Sequence, residues 1–327
     1  MIFNLIKSRQ PINYILFPLI VIALWVPAFL SAPPHQFSNL MPLYELFLRL
    51  VGDGTVFSLV IGILLVVIEG FILNYIIDLH KILPERNNLV AFFYVIFCSI
   101  HPAFLYPNPV IVANLFLILA LGQLLRVYNQ KNVLKEVFNA SMLVGVASLF
   151  YFPSLLLIFL IWAACIIIRP FEWRNYIVSL LGPIAIGLWL STYYFMNDRI
   201  PTLILKYSEF NNYSDGWSIS GFSFAVLSFL LILAVVAFGS LLKGLNKNTV
   251  RVKNLLRIVV VYFVIGGLSF FTTSHDFFST YSLMLVSFAV YTANYFDYLK
   301  RYWVGNTLII FLILIVLYNN YRLVGLF

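Results

Sequence analysis

Residues 101–121 read HPAFLYPNPVIVANLFLILAL, a histidine and three prolines set against a long apolar run. Pro102, Pro107 and Pro109 have no backbone N–H. A regular helix cannot continue through them in hydrocarbon unless other groups satisfy the freed carbonyls. The stretch therefore predicts a tight turn at a membrane face, ending one short helix and starting the next.

The flanking sequence makes hydrocarbon the right solvent to consider. Of 327 residues, 62% are hydrophobic and only 10% charged, against roughly 25% charged in a soluble domain. Apolar runs close to the ~20 residues needed to cross a bilayer recur along the chain. They fall at about 12–31, 56–77, 89–105, 109–125, 139–152, 154–168, 176–195, 222–242, 258–273, 279–296 and 305–320. The expectation is an all-α, polytopic integral membrane protein with about eleven transmembrane helices and no soluble domain. The longest connectors, 32–55 and 197–221, are too short to build one. No phosphate-binding G-x-x-x-x-G-K-[ST] loop and no repeat between the halves is present.

The net charge of +8 reflects topology, not a nucleic-acid surface. With a cytoplasmic N-terminus, one side receives sixteen of the 20 Lys and Arg residues, and the other keeps only Arg49, Arg199, Lys206 and Arg322. That asymmetry predicts a cytoplasmic N-terminus and a periplasmic C-terminus in a bacterial inner membrane. The basic run KGLNKNTVRVKNLLR (243–257) falls inside and suits anionic lipids. The first apolar run reads as an uncleaved anchor, because Pro33 and Pro34 follow Ser31-Ala32 where a cleavable signal needs an open small-residue site. Cys98 and Cys165 lie in apolar runs and read as small core residues.

Two outer connectors carry surface segments. In LMPLYELFLRLV (40–51), Leu43, Leu46, Phe47 and Leu50 share one helical face, while Glu45 and Arg49 form an i,i+4 pair on another. Such a helix lies flat at the interface. The second connector, 197–221, holds a short apolar stretch at Leu203–Leu205 and an Asn/Ser/Asp-rich bend. The runs from 89 to 168 are short, and short helices open a cavity or thin the bilayer.

An N-terminal anchor, MPLYELFLRLVGDGTVFSLVIGILL, HPAFLYPNPVIVANLFLILALGQLLRVYN and LVGVASLFYFPSLLLIFLIWAACIIIRP together resemble the polytopic glycosyltransferases of the GT-C fold. The likeness covers residues 1–195, with 196–327 as additional transmembrane helices. It extends to a group of small bacterial inner-membrane proteins of unknown function. The resemblance implies a polyprenyl-phosphate-linked sugar or glycan as substrate. It also implies an acidic residue in the first outer loop, acting as base or holding a divalent cation. Here that loop reads SAPPHQFSNLMPLYE, with no carboxylate before Glu45. The place of a second acid falls in NPVIVAN, which offers Asn108 and Asn114, amides that cannot take a proton near neutral pH.

The remaining candidates follow from residue type. His35, His101 and His275 fall on the outer side with Glu45, Asp198, Asp215 and Asp276, residue types able to hold a metal or act as general base. Arg199 and Lys206 suit a lipid phosphate, or else an ion pair with Asp198 or Glu209. Glu69 lies within the second apolar run, where a carboxylate is a functional candidate by default. Gln123, Asn114 and Asn74 are the polar side chains available to partner it. The preferred reading is a non-catalytic accessory or scaffold subunit of an envelope-biogenesis complex, for protein export or glycan assembly. Its expected partners are membrane lipids and other inner-membrane proteins, with no cofactor. The alternatives are an active glycosyltransferase with Glu45 or Asp215 as base, and a transporter using Glu69.

Overall fold

A computed structural model describes residues 6–7, 13–30, 40–52, 54–100, 104–130, 132–169, 171–208, 221–245, 249–272, 277–299 and 302–323. Every regular element among them is helical. The α-helices are α1 (Asn13–Leu30), α2 (Pro42–Val51), α3 (Val56–Leu79), α4 (Leu89–Cys98), α5 (Pro109–Arg126), α6 (Leu134–Ser148), α7 (Ile158–Ile168), α8 (Trp173–Met196), α9 (Ile200–Ser208), α10 (Gly221–Leu245), α11 (Val250–Leu268), α12 (Phe277–Asp297) and α13 (Tyr302–Leu323). Short 3-10 segments precede α7 at Phe152–Leu157 and follow α11 at Ser269–Thr272.

Five of the described helical segments are long and apolar enough to cross a membrane: Val56–Leu79, Pro109–Arg126, Trp173–Met196, Val250–Thr272 and Tyr302–Arg322. Leu16–Leu30, Leu89–Cys98, Phe152–Ile168 and Ser228–Ser240 are apolar but shorter. The surface agrees with an apolar surrounding. Helix α8 exposes Leu188, Trp189, Tyr193, Phe195 and Met196, side chains that a water-facing helix keeps inside.

The apolar run at 89–105 differs from expectation. Its helix, α4, is ten residues long and every one of them is buried. Ten residues rise only ~15 Å, half a bilayer, so α4 is a core element packed against α3 and α12. Its ring stack explains the burial: Phe93 meets Phe296 at 4.7 Å between centroids, and Phe97 meets Phe288 at 4.4 Å.

Local chemistry sets the helix boundaries. Asn108 caps α5 by accepting from the Ile111 N–H at 2.8 Å, and Pro109 occupies the first helical position, where its missing N–H costs nothing. Thr55 caps α3 through the Ser58 N–H at 3.1 Å. Helix α3 ends with the Ile82 N–H bonded back to the Ile77 carbonyl at 3.2 Å, and Lys81 in between has φ +52°. This is a Schellman stop in which lysine occupies the left-handed position that glycine usually fills.

Carbonyls just beyond the end of α4, and one each in α1 and the proline stretch, accept side-chain hydrogen bonds from distant helices. Asn320 of α13 donates its amide to the Ser99 carbonyl at 2.7 Å and to the Leu24 carbonyl at 3.4 Å. Its neighbour Asn319 donates to the Ile100 carbonyl at 2.9 Å. The Tyr44 hydroxyl of α2 donates to the Pro107 carbonyl at 2.9 Å, and the Trp25 indole N–H donates to the Ser99 hydroxyl at 3.0 Å. The turn is thus a knot binding α1, α2, α4 and α13.

Close backbone approach joins α6 to α8. A Cβ on Gly182 would lie 2.2 Å from Ser141 Oγ and 2.5 Å from the Met142 nitrogen, and one on Gly145 would lie 3.0 Å from Pro183 Cα. Small residues at such crossings let apolar helices associate where no hydrophobic driving force is available.

Candidate functional site

Glu45, on α2, stands at the end of the bundle that carries the proline knot. Its Oε1 accepts from Arg49 Nη2 at 2.5 Å, one turn along, as the i,i+4 spacing predicts. Its Oε2 accepts from Lys206 Nζ on α9, 161 residues away. The lysine's hydrogen bond is the main reason the Glu45 carboxyl is held below the usual carboxylate range, and the charges of Lys206 and Arg49 add to it. A carboxylate stabilised in this way is a weak proton acceptor.

The same contacts position α9. The Leu43 N–H donates to the Leu149 carbonyl at 3.2 Å, which ties α2 to the end of α6. Leu149, Leu190 and Leu203 form a small separate apolar cluster with Leu43, Ile186, Tyr194 and Tyr207. Beside it, α8 and α9 enclose a cleft of about 550 Å³ lined by Gly187, Leu190, Ser191, Leu203, Ile204, Tyr207 and Ser208. A second cleft of about 560 Å³ runs along the Phe152–Leu157 segment. Phe159, Trp162, Leu180 and Phe271 give it an apolar wall. Both have the lining to hold hydrocarbon, and among the described residues neither is lined by a carboxylate.

Lys206 therefore pairs with Glu45 across the bundle, and Glu209, one of the two acids that its sequence neighbourhood suggests, lies outside the described residues. Asp198 has φ +53° in the turn between α8 and α9, and the Arg199 that follows is exposed at the start of α9. Arg199 and Lys206 lie seven positions apart, about 10 Å along a helix, and Lys206 is already engaged by Glu45. His35, His101, Asp215, His275 and Asp276 lie outside the described residues. Among the described residues, no three His, Cys, Asp or Glu side chains gather to hold a metal ion.

Glu69 is fully buried in α3. Its partner is none of the three amides expected from sequence. Tyr94 of α4 donates its hydroxyl to Oε2 at 2.8 Å. The Leu115 amide of α5 lies alongside; as an interior residue of α5 its N–H belongs to the helix ladder, and Oε1 makes no hydrogen bond of its own. Asn74 instead donates to the Asn87 carbonyl at 2.9 Å, and Asn114 to the Ser282 carbonyl at 2.9 Å. Gln123 is half-buried nine positions beyond Asn114 and is not part of this group. Tyr262 of α11, also buried, lies within reach of the Glu69 charge and has no hydrogen-bond partner for its hydroxyl.

Sequence reasoning passed over His80, the fourth histidine. It closes α3 at the opposite end of the bundle, buried, with neither ring nitrogen hydrogen-bonded. Burial, with the cations of Arg251 and Arg126, lowers its pKa to about 4. At the same end Lys7 pairs with Glu85 at 3.1 Å and Asp297 at 3.2 Å.

No family model, curated protein or solved structure matches this chain.

Proposed function

We propose that the chain is a non-catalytic accessory or scaffold subunit of an inner-membrane envelope-biogenesis complex, serving protein export or glycan assembly on a GT-C-like helical framework. In this reading the proline knot, α2 and α9 face the periplasm, and Lys7 and His80 face the cytoplasm. One observation carries the proposal: Glu45 and Lys206, the residues an enzyme would need as base and as phosphate ligand, neutralise each other. Their pairing clamps α9 onto α2 and holds two apolar clefts beside it. A clamp that spends its acid and its base on each other supports a part that shapes a lipid-facing surface rather than one that turns over substrate.

The test combines extraction in mild detergent with a transferase assay. The expected result is a stoichiometric membrane-protein partner, no turnover of a polyprenyl-phosphate sugar by the assembly, and partner retention in Glu45→Gln. Turnover that is lost in Glu45→Gln or Asp215→Asn would establish an enzyme and defeat the scaffold reading.

A further inference from the structure

We propose that the buried N-terminus of α4, with the side-chain amides of Asn87 and Asn88, binds one small monovalent anion of the halide class, chloride in the cell. The site follows the connector that leaves α3. It stands whether or not the scaffold reading does.

Helix α4 starts inside the protein, where Leu89, Val90 and Ala91 are 0%, 0% and 2% exposed. The first N–H groups of any helix lack intrahelical acceptors, and water cannot reach these. The ladder begins with the Phe92 N–H, which donates to the Asn88 carbonyl at 3.1 Å. Of the three N–H groups before it, that of Leu89 donates to Asn87 Oδ1 at 3.1 Å. Those of Val90 and Ala91 have no acceptor among the described residues, and Asn88, at the cap position, makes no side-chain bond to them.

Two side-chain donors share the enclosure. Asn87 is 1% and Asn88 4% exposed, and the Nδ2 of each has no hydrogen-bond partner. The orientation of the Asn87 amide is fixed. Only its oxygen can accept from the Leu89 N–H, and its backbone carbonyl is held by Asn74 Nδ2 at 2.9 Å. Its carboxamide therefore lies against the first turn of α4 with a donor to spare, and leaving that donor unpaired costs free energy.

The unmet groups at this helix start are Asn87 Nδ2, Asn88 Nδ2 and the N–H groups of Val90 and Ala91, all of them donors. The positive end of the helix dipole adds to them. A water molecule would bring two protons that themselves need acceptors, whereas an anion only accepts. The donors are neutral, which sets the charge of the ligand. The cost of stripping water from an ion rises steeply with its charge, so a singly charged halide is matched to neutral N–H groups and a divalent phosphate is not. Asp297, which accepts from the Glu85 N–H at 3.4 Å, and Glu85 itself are both engaged by Lys7, so their charge is offset.

The test uses full-length protein purified without halide in a neutral detergent. Thermal midpoints are read in sodium chloride, sodium bromide and sodium gluconate at equal ionic strength, gluconate being too large for the site. The expected result is a saturable rise in chloride and bromide. A tenfold excess over the Kd multiplies the folded-to-unfolded ratio by about eleven. Asn88→Asp puts a carboxylate where the anion sits, a residue equally suited to a helix cap, and should abolish the response. Asn132→Asp, at an exposed asparagine that also accepts from a helix-start N–H, should respond as the wild type does. If Asn88→Asp does not fold, wild-type crystals grown in bromide supply the readout as an anomalous peak beside Asn87 Nδ2. Equal midpoints in chloride and gluconate, an undiminished response in Asn88→Asp, or ordered water in place of the bromide peak would overturn the site.

Discussion

Gly182→Ala should be among the most damaging small substitutions in the protein. The added methyl would sit 2.2 Å from Ser141 Oγ, 2.5 Å from the Met142 nitrogen and 2.6 Å from the Ser141 carbonyl carbon. Two of those three atoms are backbone, so no side-chain rotation relieves the clash. Restoring ordinary contact of ~3.5 Å requires α6 and α8 to part by about 1 Å. The gap would propagate to Gly145, against which Pro183 now packs. Overpacking of this kind costs ~3 kcal/mol at the upper end of its usual range. Alanine's better helix propensity returns ~1 kcal/mol, leaving a net loss of ~2 kcal/mol. At roughly 2–4 °C per kcal/mol the midpoint in detergent falls by several degrees. Gly187→Ala, five residues along α8, is the matched control: a Cβ there meets nothing within 4 Å, so only the propensity gain remains. Equal midpoints for the two variants, or a lower one for Gly187→Ala, would refute the claim that α6 and α8 meet backbone to backbone.

Two further outcomes follow from hydrogen bonds and one from protonation. Asn320→Ala strips the donor from the Ser99 and Leu24 carbonyls. It should cost ~1–3 kcal/mol in chemical unfolding, the range for a buried acceptor left unpaired; a change below about 0.5 kcal/mol would argue against the knot. Glu69→Gln keeps an acceptor for the Tyr94 hydroxyl and should unfold close to the wild type, whereas Glu69→Leu orphans the phenol and loses ~1–3 kcal/mol. Equal losses for the two would show that the hydroxyl bond is not what Glu69 provides. His80 ionises in the folded protein at about 4, below its ordinary 6.5, so the unfolded chain binds the extra proton first. Its contribution to stability is complete above pH 6.5 and is lost as pH falls toward 4. In phosphate-free buffer, His80→Phe should flatten the stability profile over that window, and an unchanged slope would reject the buried neutral ring.

What was legible in the sequence is what is local. The Glu45–Arg49 pair lies one helical turn apart, and the Asn108-Pro109 start of α5 is written in adjacent residues, so spacing alone predicts both. The amphipathic face of α2 also formed: Leu46 and Leu50 point outward, 51% and 76% exposed, while Tyr44 turns in to the Pro107 carbonyl. The length of α4 was hidden, because hydropathy scores Leu89–Cys98 and the residues after it alike. The carbonyl just beyond its end is satisfied by an amide arriving from α13, 221 positions later, a contact that no local pattern announces. The partner of Glu69 was missed for a related reason: a phenol ring counts as apolar although its hydroxyl is the nearest donor. Lys206 was expected to find an acid in its own loop and found one on α2 instead. His80 gave no signal at all, since a lone histidine in a polar connector looks like any solvated loop residue until packing closes over it.

The proline knot also imposes an order of events on synthesis. The Ser99 and Leu24 carbonyls emerge from the ribosome long before Asn320 does, by 221 and 296 positions. Until α13 inserts, the Ser99 carbonyl beyond the end of α4 depends on trapped water or on the insertion machinery for its hydrogen bond. Nascent chains arrested before α13 should therefore be the form most easily degraded, with the last helix acting as the latch that ends quality-control surveillance.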